Sequence, residues 1–392
     1  MAQSELRQQI ERIARDLTKK AAGQSMRFME VCGTHSHAVG RYGIRQLLPE
    51  NVALLSGPGC PVCVTPTGEI DWALELAARE DTVVTTFGDM LRVPGSKENL
   101  ADLRARGAQV QIVYSPMQAL ETAAKHPGKQ VVFIAVGFET TTPPVAVTVR
   151  TAAERGLENF TILASNKLIP PAMKLLLASG EVQLNGFLCP GHVSTIIGMH
   201  PYQEIADEFH APCVIAGFEA LDVMKGLYAL VAQVAEGRAD VENEYSRTVR
   251  PEGNPAARAV VDEVFEVADA TWRGLGLLPG SGLALRERYA AFDAVKRFNL
   301  QPSNAGEHPL CHCGEVLRGV LRSVDCPAFD HACNPEHPLG PCMVSSEGAC
   351  AAAYRYERPL AGPIPDTGMP EGIGGPPTAE EVAAAEEAGE TL

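Results

Sequence analysis

The sequence predicts an α/β protein with two similar parallel-sheet lobes and a loop-rich, cysteine-rich C-terminal domain. Short runs rich in β-branched and aromatic residues recur along the first half of the chain, with helical patterns between most of them. Strands that alternate with helices are typical of parallel sheets. Six of the eleven cysteines fall between residues 311 and 350, among prolines and glycines, which sets that region apart.

The predicted elements follow one another along the chain. The first 23 residues alternate charges along a helical period and predict an amphipathic helix. Helices are also predicted at 70–80, 115–126 and 146–156, and residues 222–272 are predicted to be largely helical. The eight predicted strands are 27–32, 51–56, 81–88, 109–115, 130–137, 160–165, 185–191 and 211–218. In such units, functional groups gather beyond the carboxyl ends of the strands.

Two predicted strands end in Gly-Phe-Glu, within VGFETTTP at 136–143 and AGFEALD at 216–222. Two lobes of similar fold would account for this echo, and a length of 392 residues favours more than one domain. Four segments are predicted: an N-terminal α/β lobe with the CGTH and CPVC motifs (1–125), a second α/β lobe with the GFE and PGH motifs and a helical connection (126–272), a cysteine-rich domain (273–360) and a flexible acidic tail (361–392).

Composition excludes several classes of function. The formal net charge is −15, which argues against binding to nucleic acid and leaves protein or small-molecule partners. The charged N-terminus is unlike a signal peptide, and no apolar run is long enough to cross a membrane. The cytoplasm is therefore the expected location, and there cysteines serve as ligands, redox thiols or core residues more often than as structural disulfides.

The C-terminal cysteines have the spacing C-x-C-x12-C-x6-C-x8-C-x7-C. Zinc sites are commonly built from C-x2-C pairs, and this segment has none. Iron–sulfur clusters also take four thiolates and tolerate irregular spacing. Four ligands from six cysteines would leave two thiols for a redox disulfide beside the cluster. This arrangement resembles ferredoxin-thioredoxin reductase, in which cluster ligands and an adjacent disulfide are interleaved.

A second marked segment, MEVCGTH at 29–35, lies at the end of the first predicted strand. Cys32 precedes a Gly-Thr turn, and a helix N-terminus at such a turn lowers a thiol pKa. A nucleophile or a single metal ligand is one interpretation, and a buried strand cysteine is the other. His35 and His37 would point to opposite sides of a strand, so one of them acting as a base or hydrogen-bond donor is favoured over both binding one ion.

The stretch GPGCPVCVTP at 57–66 places a Cys-x-x-Cys pair, Cys60 and Cys63, after the second predicted strand. In a cytosolic α/β protein this spacing indicates a redox dithiol. A zinc knuckle would need a second C-x2-C pair, which the sequence lacks. The redox interpretation is therefore favoured.

Three further strand ends carry ionisable groups: Asp89, Glu139 and His192. Groups of this kind can converge on one cleft of a doubly wound lobe, although each taken singly is more often a cap or turn residue. Cys189 and Cys213 fall inside apolar runs and are predicted to be core thiols.

Six motifs, long and in order, together resemble the HypD family of [NiFe]-hydrogenase maturation proteins. They are MEVCGTH, SGPGCPVCVTP, FGDMLRVPGS, VGFETTTP, LCPGHVSTIIG and CMVSSEGACAAAYRY, and the likeness runs from about residue 26 to 356. The resemblance implies two α/β lobes of similar fold and a C-terminal domain carrying a [4Fe–4S] cluster. It also implies work with HypC and HypE in building the Fe(CN)2CO unit, with the hydrogenase large subunit reached through HypC.

The resemblance implies roles for single residues as well. Cys32 would bind the iron being assembled, together with the N-terminal cysteine of HypC, and Cys60 and Cys63 would be the nearby redox pair. HypE would deliver cyanide from a thiocyanate on its C-terminal cysteine. His35, Glu139 and His192 would supply protons or hydrogen bonds to the cyanide nitrogens.

For the cluster, the resemblance leads to an assignment of ligands and of an adjacent dithiol. The ligands would be Cys311, Cys326, Cys333 and Cys350, and the dithiol would be Cys313 and Cys342. A swap of Cys311 with Cys313, or of Cys342 with Cys350, is equally compatible with the pattern. Two alternatives for the whole protein also stay open: a non-redox scaffold that docks HypC and HypE with a structural cluster, and a stand-alone thiol oxidoreductase.

Overall fold

The computed structural model describes residues 3–303 and 305–358, so the predicted acidic tail lies outside the described residues. The helices are α1 (Gln3–Lys20), α2 (Gly33–Arg41), α3 (Thr67–Ala77), α4 (Leu100–Ala105), α5 (Pro116–Lys125), α6 (Thr142–Glu154), α7 (Ile169–Ser179), α8 (Gly191–Ile197), α9 (His200–Phe209), α10 (Ala220–Ala235), α11 (Pro255–Val264), α12 (Ala294–Phe298), α13 (Cys313–Leu317), α14 (Pro341–Val344) and α15 (Ala349–Tyr356). The strands are β1 (Met26–Glu30), β2 (Val52–Ser56), β3 (Thr82–Thr86), β4 (Val110–Ile112), β5 (Gln130–Gly137), β6 (Phe160–Asn166), β7 (Gly186–Pro190), β8 (Cys213–Ala216), β9 (Val241–Asn243), β10 (Phe265–Trp272) and β11 (Gly276–Leu285).

The chain forms two compact units. The first contains the described residues up to Cys60, Met173–Gly253 and the described residues from Pro309 on. Its five strands pair in the order β2-β1-β7-β8-β9, and every pair is parallel. Helices α1 and α10 pack on one another against this sheet, in a core formed by side chains such as Leu17, Phe28 and Leu227.

The second unit contains Pro61–Ala172 and Asn254–His308. Its parallel sheet has the order β4-β3-β5-β6, and an antiparallel hairpin pairs β10 with β11. Strands β5 and β6 are buried along nearly their whole length, as expected of a parallel sheet covered on its faces. Phe133, Phe160 and Val149 lie in the core beneath helices α5 and α6.

The α/β class is confirmed, and each of the eight predicted strands corresponds to a strand of the two parallel sheets. The units are built from other segments than the four predicted ones, because pairing ignores chain order. Strand β1 pairs with β7, and β3 pairs with β5. A boundary near residue 125 would divide the second sheet between the paired strands β3 and β5.

The predicted helical stretch over 222–272 is wrong in its last part. Helix α11 ends at Val264, and residues 265–272 form strand β10. Trp272 is buried and donates a hydrogen bond from Nε1 to Oγ of Ser281 at 2.8 Å, which ties β10 to β11. The PGSG sequence at 279–282, expected to be a turn, lies within β11. Cross-strand pairing therefore outweighs the local helical pattern here.

Among the described residues, none of the helices combines the length and the apolar character needed to cross a membrane.

Candidate functional site: the cysteine site of the first unit

Three loops meet at the carboxyl edge of the five-stranded sheet. Because β1 pairs with β7 and β7 pairs with β8 in parallel register, the residues that follow these strands lie at the same edge. His35, His192 and Phe218 meet there, and the phenyl ring centroid lies 4.9 Å from that of His35 and 4.0 Å from that of His192. The structure thus brings two of the predicted site residues together around an aromatic residue that sequence reasoning missed.

Cys32 caps helix α2. Its backbone is extended, with φ −153° and ψ 119°, and the helix begins at Gly33. Its side chain makes no capping hydrogen bond, although the nearby backbone N–H groups of His35 and Thr34 act to lower the pKa of the thiol. Burial nevertheless raises the pKa of this thiol to about 12, and the charge of Glu347 adds to the effect. In the free protein Cys32 is therefore a thiol at neutral pH, and a metal ion must displace its proton.

Glu30, the last residue of β1, fixes the turn that carries Cys32. Its Oε2 accepts a hydrogen bond from the backbone N–H of Cys32 at 3.0 Å, and Ser36 donates its hydroxyl proton to Oε1. The side chain is fully buried, and desolvation raises its pKa to about 7. A buried carboxyl bonded within the turn gives Cys32 one conformation.

Glycines allow the GPGC segment to lie directly on Cys32. The N–H of Gly33 donates to the carbonyl of Gly59 at 2.8 Å, and a Cβ at Gly59 would overlap the backbone nitrogen of Cys32. Cys60 follows immediately. The glycine before Cys60 is thus explained by the close approach of its backbone to that of Cys32.

Cys60 and Cys63 are disulfide-bonded, while the other nine cysteines are free. Both are buried. The local bond shows that the Cys-x-x-Cys spacing can close, as a redox dithiol requires.

The six C-terminal cysteines surround one cavity. Its lining includes Cys311, Cys313, Cys326, Cys333, Cys342 and Cys350. The thiol of Cys313 is hydrogen-bonded to those of Cys311 and Cys342, and the thiol of Cys342 also to that of Cys350. Cys313 and Cys342 are buried, whereas the four cysteines assigned as ligands are partly exposed.

The donor set fits a four-thiolate cluster. A Cβ at Gly340 would overlap the sulfur of Cys311, so glycine keeps this wall of the cavity open. Burial raises the pKa of Cys333 to about 12, which is the behaviour of thiols in an apolar shell without bound cation. Across residues 3–303 and 305–358, no three His, Cys, Asp or Glu side chains are placed to hold a single metal ion. Cysteine thiolates, the side chains that line this cavity, are the ligands that iron–sulfur clusters take.

Helix α15 joins the six-cysteine segment to the Cys32 turn. Glu347 lies against Gly33, where a Cβ would overlap its side chain, and accepts a hydrogen bond from Oγ1 of Thr34 at 2.9 Å. At the other end Tyr356 packs on Gly40 and is hydrogen-bonded to His37 at 2.8 Å. Helices α2 and α15 therefore run side by side with their N-termini together. Glu347, which contacts the turn of Cys32, precedes Cys350 by three residues in the sequence.

Two predicted residues belong to the second unit. Asp89 lies in a 3-10 helix, Gly88–Met90, after β3. Glu139 follows β5 and accepts a hydrogen bond at Oε1 from the N–H of Ile169 at 3.0 Å, while its Oε2 has no partner among the described residues. Cys189 and Cys213 are fully buried on β7 and β8, as predicted for core thiols.

Glu139 is expected to make stability fall as pH rises. Burial raises its pKa from 4.5 to about 7, so the folded protein keeps the proton over a range in which the unfolded chain loses it. The stabilising contribution is complete below pH 4.5 and is lost as pH rises to about 7, by about 3 kcal/mol. Denaturant unfolding at pH 4.5 and pH 8 should show this loss, and Glu139→Gln should reduce the pH-dependent difference by about 3 kcal/mol, while the share of Glu30 remains. The exposed Glu121→Gln is the control, and an unchanged slope in Glu139→Gln would contradict the assignment.

Comparison with known proteins gives one consistent result. Residues 5–357 match the family model HypD, described as the hydrogenase formation hypA family. The hydrogenase maturation factor HypD2 of Bradyrhizobium diazoefficiens is 51% identical over 340 residues, which cover 85% of this chain and 90% of the relative. The HypD factors of Cupriavidus necator and Escherichia coli are 49% and 45% identical, over 89% and 86% of this chain and 94% and 91% of theirs.

These matches define the class of the protein as hydrogenase formation proteins. The chain belongs to the HypD family. Among solved structures, D-threo-3-hydroxyaspartate dehydratase from Delftia sp. HT23 matches at 12% identity with a TM-score of 0.16, covering 75% of this chain and 86% of that one, and carries no argument.

Proposed function

We propose that this HypD-family protein assembles the Fe(CN)2CO unit of [NiFe]-hydrogenase in the cytoplasm, with a HypC-type chaperone and a HypE-type cyanide donor. The observation that carries the proposal is the turn of Cys32, which lies against Gly59 of the GPGC segment and against Glu347 of the six-cysteine segment. Cys32, Cys60 and the six C-terminal cysteines thus belong to the same unit, and Cys63 follows Cys60 by three residues.

Cys32 is proposed to bind the iron that is being assembled, as the substrate of the process. Thiolates are soft donors that suit low-spin iron carrying cyanide and carbon monoxide. The backbone N–H groups of His35 and Thr34 lower the pKa of the thiol, so they would favour the thiolate once iron replaces the proton. One further cysteine from a HypC-type partner would complete a two-thiolate site with open positions for diatomic ligands.

The C-terminal cysteines are proposed to hold a [4Fe–4S] cluster through Cys311, Cys326, Cys333 and Cys350, which when bound supplies electrons singly. Cys313 and Cys342 would form the adjacent dithiol. The thiols of Cys313 and Cys342 are in hydrogen-bond contact, which is compatible with this pairing, and Cys342 has the same contact with Cys350. Release of cyanide from a thiocyanate consumes two electrons and a proton and yields a thiol, and the Cys60–Cys63 couple carries electrons in pairs.

His35 and His192 are proposed to act as neutral imidazoles, and Glu139 as a further proton carrier. Burial lowers the pKa of His35 to about 4 and also lowers that of His192. Nε2 of His35 donates to the carbonyl of Gly217 at 2.9 Å, so Nδ1 is left as a buried acceptor without a partner among the described residues. A ring that stays neutral at physiological pH can accept a hydrogen bond at this nitrogen.

Replacing both Cys60 and Cys63 with serine is expected to abolish hydrogenase maturation while leaving HypC binding intact. Serine cannot form a disulfide, so the variant has no redox couple. Serine and cysteine side chains are close in volume, so the packing should be preserved. The measurement is hydrogenase activity in cells that lack their own HypD, combined with co-purification of HypC. The core variant in which Cys189 and Cys213 are both changed to serine is the matched control. Full maturation by the Cys60/Cys63 variant would favour a scaffold without a redox role.

A further inference from the structure

Arg273 is a buried cation that is hydrogen-bonded to the chain just after the Cys-x-x-Cys motif. It lies between β10 and β11 and is 4% exposed. Its backbone N–H donates to the carbonyl of Val64 at 2.8 Å, and its Nε donates to the carbonyl of Thr65 at 3.0 Å. The backbone of Arg273 is therefore bonded to Val64 and its guanidinium to Thr65, the two residues that follow Cys63.

The turn to which Arg273 is bonded is closed by its own hydrogen bonds. Thr65 donates its hydroxyl proton to the carbonyl of Pro61 at 2.9 Å, and its N–H donates to the carbonyl of Val62 at 3.3 Å. Residues two apart have Cα atoms at most about 7 Å apart, so this closed turn holds Thr65 and the bound guanidinium near Cys63. The guanidinium is held in place because both the backbone and the side chain of Arg273 are bonded to this turn.

The charge of Arg273 is not fully neutralised. Its ion partner, Glu307, lies 3.9 Å from Nη1 and has a side chain that is 32% exposed. Its Nη2 is buried and has no hydrogen-bond partner within the described part of the chain. Burying a cation with an unused hydrogen-bond donor destabilises the folded protein. Such unfavourable groups are expected mainly at functional sites. In the disulfide form, neither sulfur of Cys60 or Cys63 carries a charge to balance it.

We propose that Arg273 is a positioning residue of the Cys60–Cys63 couple and that its charge favours the reduced, dithiol state. This inference rests on the redox role proposed for that pair. Reduction adds two electrons to the S–S bond and breaks it, one sulfur takes up a proton, and Cys63 is left as a thiolate beside the guanidinium. The electrons come from a dithiol such as dithiothreitol, which closes to its own disulfide and releases its two protons, one of which the leaving sulfur accepts.

The test is the reduction equilibrium of Cys60 and Cys63 in the full-length protein, purified without oxygen. The protein is equilibrated with defined ratios of reduced and oxidised dithiothreitol, and the two cysteines are counted by alkylation and peptide mass spectrometry. Arg273→Met is expected to lower the equilibrium constant for reduction about tenfold, which is about 30 mV toward a more negative potential. Arg273→Lys keeps the charge and is expected to stay within about threefold of wild type.

Arg286 provides a matched control in the same unit. It too donates from Nε to a backbone carbonyl, that of Asp262, and has an ion partner at 3.8 Å, Glu266. Arg286→Met is expected to leave the equilibrium unchanged. Equal constants for Arg273→Met and wild type would overturn the proposal, as would equal losses in Arg273→Met and Arg273→Lys, since the loss would then come from the hydrogen bonds.

Glu307→Gln keeps the test decisive if Arg273→Met does not fold. Glutamine removes the negative charge that partly compensates the charge of Arg273. The positive potential near Cys63 therefore increases, and the equilibrium constant for reduction is expected to rise about threefold. A constant that stays the same or falls would overturn the proposal. Failure of these shifts would leave the maturation phenotype of the Cys60/Cys63 serine variant in place, so the two hypotheses are separable.

Discussion

Cys32→Ala is expected to abolish hydrogenase maturation and to leave the fold intact. The side chain is small and buried, and it makes no capping hydrogen bond to helix α2 that alanine would lose. Its removal deletes the proposed iron ligand. Hydrogenase activity in cells lacking their own HypD should fall to background, and iron recovered with the HypC complex should fall with it.

The matched control is Cys189→Ala, which makes the same chemical change at a fully buried cysteine of the neighbouring strand β7. Both variants lose one buried sulfur, so a shared loss of folding would appear in both thermal unfolding curves. Maturation by Cys32→Ala at the level of Cys189→Ala would contradict the proposed iron site. The same comparison separates a ligand from a core thiol, the two interpretations that the sequence left open for Cys32.

Alanine at any of the four proposed cluster ligands is expected to remove the cluster. Cys326→Ala leaves three thiolates, and a [4Fe–4S] cluster held by three is readily lost. The anaerobically purified protein should then lose its broad visible absorption and about four iron atoms per chain. Because the cluster would stabilise the fold by binding only the folded state, the thermal midpoint should fall as well.

Cys342→Ala is the control for the assignment of four cysteines as cluster ligands and two as a dithiol. Cys342 lines the same cavity and is buried there, yet it is assigned to the dithiol. It should keep the iron and the absorption while losing maturation. Loss of the cluster in Cys342→Ala, with retention in Cys350→Ala, would exchange these two assignments, as the spacing in the sequence allows.

Local patterns predicted the elements of the fold well because each parallel strand is a short, buried apolar run. The eight strands and the α/β class follow from that pattern, and so do the strand-end positions of Cys32, His35 and His192. Sheet order could not be predicted, since pairing of β1 with β7 joins residues far apart in sequence. Strand β10 was missed because its alternation makes sense only opposite β11.

Parts of the site were invisible in the sequence for a similar reason. Glu30 reads as an ordinary strand residue until its carboxylate is seen to accept the N–H of Cys32. Phe218 lies in the second Gly-Phe-Glu echo, and only the sheet order brings its ring between His35 and His192. Glu347 stands in the motif SSEG, but its contact with Gly33 spans more than three hundred residues of chain. In each case the missing information is tertiary, and a Gly-rich motif such as GPGC is the one local sign of close approach.

The Cys-x-x-Cys couple is proposed to supply the electron pair for cyanide transfer to iron at Cys32. The most direct measurement is infrared spectroscopy of cyanide bound to iron, after mixing the protein and iron-loaded HypC with HypE carrying isotopically labelled thiocyanate. Wild type and the Cys189→Ala control should both show iron–cyanide bands that shift with the label, and the Cys60/Cys63 serine variant should show none. Bands of equal intensity from that serine variant would contradict the claim.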